Sequence, residues 1–125
     1  VRESAISNAI EMTLPMPANL GNARLHWRAK WRAKQDFYRA SDERQQFHLV
    51  PAPPKERLTN VTVRAHFYLH NRMDPDNLHA RMKHVLDWLV TRGYLVDDSP
   101  EHVTLDVQQS IERRNKRVEL ILEPA

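Results

Sequence analysis

Hydrophobic and polar positions alternate in four stretches of the chain and recur with helical spacing in two others. Val61, Val63, Ala65, Phe67 and Leu69 alternate with Thr62, Arg64, His66, Tyr68 and His70. A strand turns successive side chains to opposite faces, so this run predicts a strand with one buried face. Ile10, Met12 and Leu14 form a shorter strand, ended by Pro15-Met16-Pro17. Val103, Leu105 and Val107 begin another, and Val118, Leu120 and Leu122 make the last. Arg113-Arg114-Asn115-Lys116 lies between those two as a basic hairpin tip.

The helical segments sit between the strands. From about Arg24 to Gln46 the composition is helical, and Trp27, Trp31, Lys34 and Tyr38 fall on one stripe. Pro51-Ala52-Pro53-Pro54 then breaks the chain into a loop. After Leu69, Asp74 is a natural N-cap and Pro75 suits the first helical position. Leu78, Met82, Val85, Leu86 and Leu89 make an apolar stripe, Gly93 is a stop, and Asp97-Asp98-Ser99-Pro100 is a turn. The order is β-α-β-α-β-β. It predicts an α/β (α+β) fold, a mixed sheet with helices packed on it, and a single domain over residues 1–125.

Composition narrows the classes. A chain of 125 residues holds one stable core, and 41% hydrophobic with 28% charged residues is ordinary for a soluble globular protein. The absence of cysteine removes disulfides, thiolate zinc sites and thiol nucleophiles, and suits a cytoplasmic setting. No apolar run approaches the roughly 18 residues that cross a bilayer, so no membrane partner is expected. Val1-Arg2-Glu3-Ser4 has no signal-peptide core.

Net charge is +3, and its distribution says more than the total. From Asn22 to Lys34 there are five cations (Arg24, Arg28, Lys30, Arg32, Lys34) and no acid. Interleaved with Trp27 and Trp31, they suit phosphate contacts and base stacking; the bland alternative is a solvated helix face with at least one core tryptophan. From Asp74 to Asp106 there are seven acids against Arg81, Lys83 and Arg92.

Asp74 and Asp76 flank a proline where a strand meets a helix, and Asp98 follows that helix. If the next strand returns beside the first, the three carboxylates can converge. Hard cations such as Mg²⁺ take one or two carboxylates with substrate phosphate and water. The alternative is a helix cap, a dipole-favoured acid and turn formers. Lys83 lies on the face of Asp76 about two turns along, where it reaches phosphate or pairs with Asp87. The seven histidines are not spaced for zinc: His66 and His70 lie far apart on one strand face, and His79 and His84 diverge on a helix.

Taken in order, Asp74-Pro75-Asp76-Asn77-Leu78, then Lys83, Asp87-Trp88-Leu89, Gly93 and Asp97-Asp98-Ser99-Pro100-Glu101-His102-Val103 resemble the RusA family of Holliday-junction resolvases. Leu14-Pro15-Met16-Pro17, Asn22 and Trp27-Arg28 are similar to that family's opening. The similarity covers roughly Met12 to Val107. It implies a homodimeric α/β endonuclease that uses Mg²⁺, or Mn²⁺ in its place, to cut opposed strands of a four-way DNA junction, in a bacterial or phage-infected cell. Asp74, Asp76 and Asp98 would be the metal ligands, with Asp97 as a neighbouring acid and Lys83 as the catalytic lysine. Arg24, Arg28, Lys30, Arg32 and Lys34, with Arg113, Arg114 and Lys116, would hold DNA arms.

The sequence departs from the family at two places: the serine usual near the Leu14–Pro17 run is absent, and the lysine is shifted. The usual lysine follows the second aspartate by four residues, where this chain has Ala80, and Lys83 is displaced by about 4.5 Å along the helix. A nuclease for flaps or forks and a non-catalytic branched-DNA-binding module are the alternatives. Asp-x-Asp glycosyltransferases and phosphatases would need more chain than this.

Overall fold

A computed structural model describes residues 9–17 and 27–125. Its elements run β1 (Ile10–Pro15), α1 (Trp27–Gln46), β2 (Val61–Leu69), α2 (Pro75–Thr91), β3 (Val103–Ile111) and β4 (Arg117–Pro124). The predicted order and the single small α+β domain are both present. The four alternating runs form strands because period-two burial fits a one-sided sheet: β2 buries Val61, Val63, Ala65, Phe67 and Leu69 in strict alternation.

The sheet order is β1-β4-β2-β3, with β2 and β3 parallel and the other pairs antiparallel. The long central strand β2 thus lies between the parallel β3 and the antiparallel β4. Both helices contribute to one continuous core on the same sheet face, where Phe37, Leu78, Met82, Val85, Trp88 and Leu89 meet the buried side chains of β1, β2 and β4. The opposite face carries Arg64, His66 and Tyr68.

Both ends of α2 follow from local chemistry. Asp74 adopts extended backbone angles, and its Oδ1 accepts from the Asn77 N–H at 2.9 Å, satisfying one of the donors a helix start leaves open. Pro75 occupies the first turn, where no N–H is needed. At the other end the Tyr94 N–H donates to the Leu89 carbonyl and the Gly93 N–H to the Val90 carbonyl. That Schellman closure requires a left-handed residue, and Gly93 supplies it at φ 92°.

The two helices are tied by Asp42 of α1. Its carboxylate accepts from the Trp88 indole at 2.9 Å and from both arms of the Arg92 guanidinium at 2.8 and 2.7 Å. The fully buried Trp88 therefore has its only polar atom satisfied, as a buried indole requires.

Candidate functional site

The loop His70–Met73 carries the chain from the C-terminal end of β2 into α2, and Gln109 of β3 fixes it. The Gln109 amide accepts from the Met73 N–H at 2.9 Å and donates to the Met73 carbonyl at 2.8 Å. This paired bond sets the residue immediately before Asp74. Beside it opens a cleft of about 740 Å³, lined by Met16, Pro17, His70, Arg72, Asp74, Asn77, Arg81 and Lys116 among others.

Three elements deliver these groups. Met16 and Pro17 follow β1, Lys116 comes from the β3–β4 hairpin, and Asp74, Asn77 and Arg81 come from the start of α2. Positions 74, 77 and 81 are spaced i, i+3, i+7, so they share one helix face. Asp74 Oδ2 also accepts from the Asn77 side-chain amide at 3.1 Å, which orients the carboxylate. Each oxygen keeps a second lone pair, so the group remains able to ligate a hard cation.

Arg81 is the cation that sequence reasoning missed. It is half-buried, desolvation alone holds its guanidinium below its ordinary pKa, and its buried Nε has no hydrogen-bond partner. Buried N–H donors are normally paired, so this one carries a cost, while the guanidinium itself lines the cleft, where it can meet an anion such as phosphate. Arg72, Arg81 and Lys116 line the same cleft as Asp74 and make it basic.

The structure distributes the expected residues unevenly. Asp74 lines the cleft, and Asp76 is exposed on the first turn of α2 beside it. Lys83 is exposed on α2 and is not among the residues lining the cleft, so Arg81 takes the place expected for it. The reason is angular: Arg81 lies seven residues from Asp74, whereas Lys83 lies seven from Asp76 and shares that residue's bearing.

Asp98 is a correction. The strand after α2 does return beside β2, but parallel to it and in register from Val61↔Val103 to Leu69↔Ile111. A parallel neighbour starts at the same end, so the turn before β3 lies at the beginning of β2. The Val61 N–H donates to the His102 carbonyl, and Leu58 pairs with Leu95 there. The 17 residues of α2 separate the two ends by about 25 Å. One chain therefore does not bring Asp98 to Asp74 and Asp76. Among the described residues no group of three or more His, Cys, Asp or Glu side chains clusters to hold a metal ion. Asp97, beside Asp98, accepts from the Ser99 N–H at 2.9 Å; that bond holds its carboxyl below the usual range.

The basic groups divide between two places. Lys116 lines the cleft, and Arg113 reaches the His70 carbonyl at 3.4 Å, so the hairpin tip stands at the Asp74 end of the sheet, with the exposed Arg114 between them. Arg28, Lys30 and Arg32 are exposed on the first turns of α1, and Lys34 is half-buried, its ammonium 5.5 Å from the Tyr38 ring centre. Arg24 lies outside the described residues. Trp27 and Trp31 are 64% and 60% exposed, so neither is core. The buried tryptophan is Trp88 of α2, and α1 buries Phe37 and Ser41.

A second concavity, on the open sheet face, is lined by Arg64, His66, Tyr68, Asp106 and Glu119 among others. Its charges neutralise one another: Arg64 pairs with Asp106 at 2.6 Å and Glu123 at 2.9 Å, and Arg117 with Glu119 at 2.8 Å. No helix among the described residues is long and apolar enough to cross a membrane. Neither a scan of protein-family models nor a search of curated proteins finds a match for the chain.

Proposed function

We propose that this protein is a Mg²⁺-dependent, structure-specific endonuclease that hydrolyses phosphodiester bonds in opposed strands of four-way DNA junctions, as its resemblance to the RusA resolvases implies. One observation carries the reading. The two blocks of that resemblance, Leu14–Pro17 and Asp74–Asn77, lie some sixty residues apart in sequence, yet Met16, Pro17, Asp74 and Asn77 line one cleft. The remaining polar lining is basic enough to receive a phosphodiester.

The donor set suits the metal. Asp74 and Asp76 offer hard oxygen ligands, and Mg²⁺ is commonly held by one or two carboxylates completed by phosphate and water. What Mg²⁺ supplies when bound there is Lewis acidity toward a phosphoryl oxygen and activation of an attacking water. The chain's own groups do the rest. Arg81, Arg72 and Lys116 neutralise the scissile phosphate and the charge that develops on it, an electrostatic role that preorganised cations perform well in a partly dehydrated cleft. Gln109 and Asn77 hold the Asp74 carboxylate in place. The exposed cations of α1 and the Arg113–Lys116 tip contact the phosphates of the junction arms, which gives affinity without base preference.

The distance of Asp98 from the other two carboxylates favours a second reading, a non-catalytic module that binds branched DNA. Cleavage of a labelled four-way junction against linear duplex, with and without Mg²⁺, separates the two. Paired Mg²⁺-dependent nicks that disappear in Asp76→Asn support the nuclease. Tight junction binding with no cleavage supports the module, and equal affinity for junction and duplex would rule out both.

A further inference from the structure

Every residue of α1 from Trp27 to Arg32 is exposed, so the first turns of this helix bury no face in the core. Packing does not choose the residues there, yet they are not an ordinary solvated surface. Two of the chain's three tryptophans stand in these turns, both more than half exposed. Arg28, Lys30, Arg32 and Lys34 accompany them, with no acid between Trp27 and Lys34.

Spacing brings the rings and the charges together. Trp27, Lys30, Trp31 and Lys34 fall at i, i+3, i+4 and i+7, so aromatic and cationic side chains alternate along one helix face. Four helical residues rise about 6 Å. A flat base between two rings, at about 3.5 Å from each, needs a ring separation of about 7 Å. The pair is therefore spaced to clamp one base. Lys30 lies on the same face for the adjoining phosphate, and Arg28, 5.4 Å from the Trp27 ring centre, borders it.

This mixture selects the occupant. A helix that lies on a lipid surface segregates its rings from its cations, whereas Lys30 here shares the tryptophan face. Duplex DNA offers phosphates but hides its base faces, each stacked on its neighbours. A single strand offers both at once, and every base has a face on which a ring can stack.

The fold sets these turns toward the cleft end of the domain. Strands β1 and β2 are both antiparallel to β4, so Pro15 and Leu69 finish at the same end of the sheet, where Asp74 follows. Helix α1 returns from that end. Its last turns meet the far end of α2, where Asp42 holds Arg92 and the Gln45 amide donates to the Tyr94 hydroxyl at 3.0 Å. Two turns earlier, Lys34 stands near His84, which burial first and then the Lys34 and Lys83 charges hold below its ordinary pKa against the pull of Asp87. Contacts advance together along both helices, so α1 and α2 run in the same direction.

We propose that the first turns of α1 are a binding site for single-stranded nucleic acid, in which Trp27 and Trp31 clamp an unpaired base and Arg28, Lys30 and Arg32 neutralise the phosphates beside it. The site gives the protein a preference for unpaired segments that phosphate contacts alone cannot supply. It does not rest on the nuclease reading.

The test is a titration in EDTA, where no metal-dependent cleavage intervenes. Trp88 is buried, so changes in tryptophan emission report on Trp27 and Trp31. Oligothymidylate about 12 nucleotides long quenches the emission, and an abasic strand of equal length and charge binds more weakly by roughly 5- to 150-fold for each stacked ring. Trp31→Ala loses affinity for oligothymidylate by the same factor and none for the abasic strand. No core contact is removed and alanine favours a helix, so its Tm and circular dichroism spectrum stay those of wild type. Trp31→Phe, which keeps a ring, retains most of the binding. DNA and RNA strands share this chemistry; oligouridylate of the same length shows which binds tighter, and binding of neither overturns the site. Equal affinity for oligothymidylate and the abasic strand, or a Trp31→Ala protein that binds both like wild type, leaves only charge and overturns the clamp. Emission that shifts blue on vesicles of anionic phospholipid and ignores both oligonucleotides assigns the face to a membrane surface and overturns it as well.

Discussion

Arg81 offers a perturbation in which stability and function should move in opposite directions. It lines the cleft from α2, its guanidinium is half-desolvated, and its Nε has no partner. A fully buried unpaired donor costs about 1–3 kcal/mol, and half-burial reduces that to about 1 kcal/mol. Arg81→Met keeps the length and the apolar stem while removing the charge. The variant should therefore be more stable by about 1 kcal/mol, raising Tm by about 3–5 °C for a domain of this size. The same change deletes a charge-assisted bond to phosphate, worth about 1.5–3 kcal/mol, or roughly 10- to 150-fold in junction affinity or in kcat/KM. The slope of log affinity against log salt should fall by about one contact. Scanning calorimetry and junction titration at several salt concentrations read both effects. A variant that loses stability and binds junctions like wild type would show that Arg81 is a structural cation and that the cleft is not a phosphate site.

Three further outcomes follow from the same geometry. Asp42→Ala leaves the buried Trp88 indole unpaired and should cost about 1–3 kcal/mol in chemical denaturation, almost all of it from the indole, because the Arg92 pair is over a third exposed and screened. The Arg92 hydrogen bonds hold the Asp42 carboxyl below its ordinary 3.8, so its contribution is complete above that pH and is lost as pH falls through the lower folded value. Asp42→Asn should therefore flatten the acid limb of the stability curve below about pH 4. Gln109→Ala frees the Met73 backbone on which Asp74 depends; kcat should drop while junction affinity stays within about twofold, and a parallel loss of affinity would remove Gln109 from the positioning role. Trp31→Ala removes an exposed ring, so stability should change by less than about 0.5 kcal/mol, whereas affinity for single-stranded DNA arms falls by about 1–3 kcal/mol if the ring stacks on bases.

The fold was legible where a local rule operates alone. Strict alternation marked β2 to the residue, and the Asp74–Pro75 start of α2 was readable because a carboxylate cap and a proline satisfy the same open helix end. Legibility failed where tertiary geometry chooses among equivalent patterns. The α1 stripe of Trp27, Trp31, Lys34 and Tyr38 is a valid helical face, but the helix buries Phe37 and Ser41 because its C-terminal half is the part that meets α2, through Asp42 and Tyr38. The tryptophans lie on the exposed first turns, and no pattern within the helix records which part of it meets α2. Strand β3 extends to Ile111, past the last alternating apolar residue, because its inner edge pairs with β2 wherever the polar side chains point.

The site divides along the same line. The cluster at Asp74 was foreseeable from the strand-to-helix junction, and Arg81 was within reach as well: it stands seven residues from Asp74, the spacing used to place Lys83 from Asp76. Spacing does not choose between the two cations, because each stands seven residues after an aspartate; packing decides that the Asp74 face, with Arg81, lines the cleft. Asp98 could not be placed from spacing, since an acidic turn after a helix precedes a parallel strand and an antiparallel one alike. A hairpin-like return would have put it beside Asp74; the parallel return puts it a helix length away. That single choice leaves Asp74 and Asp76 at one end of the sheet and Asp98 at the other.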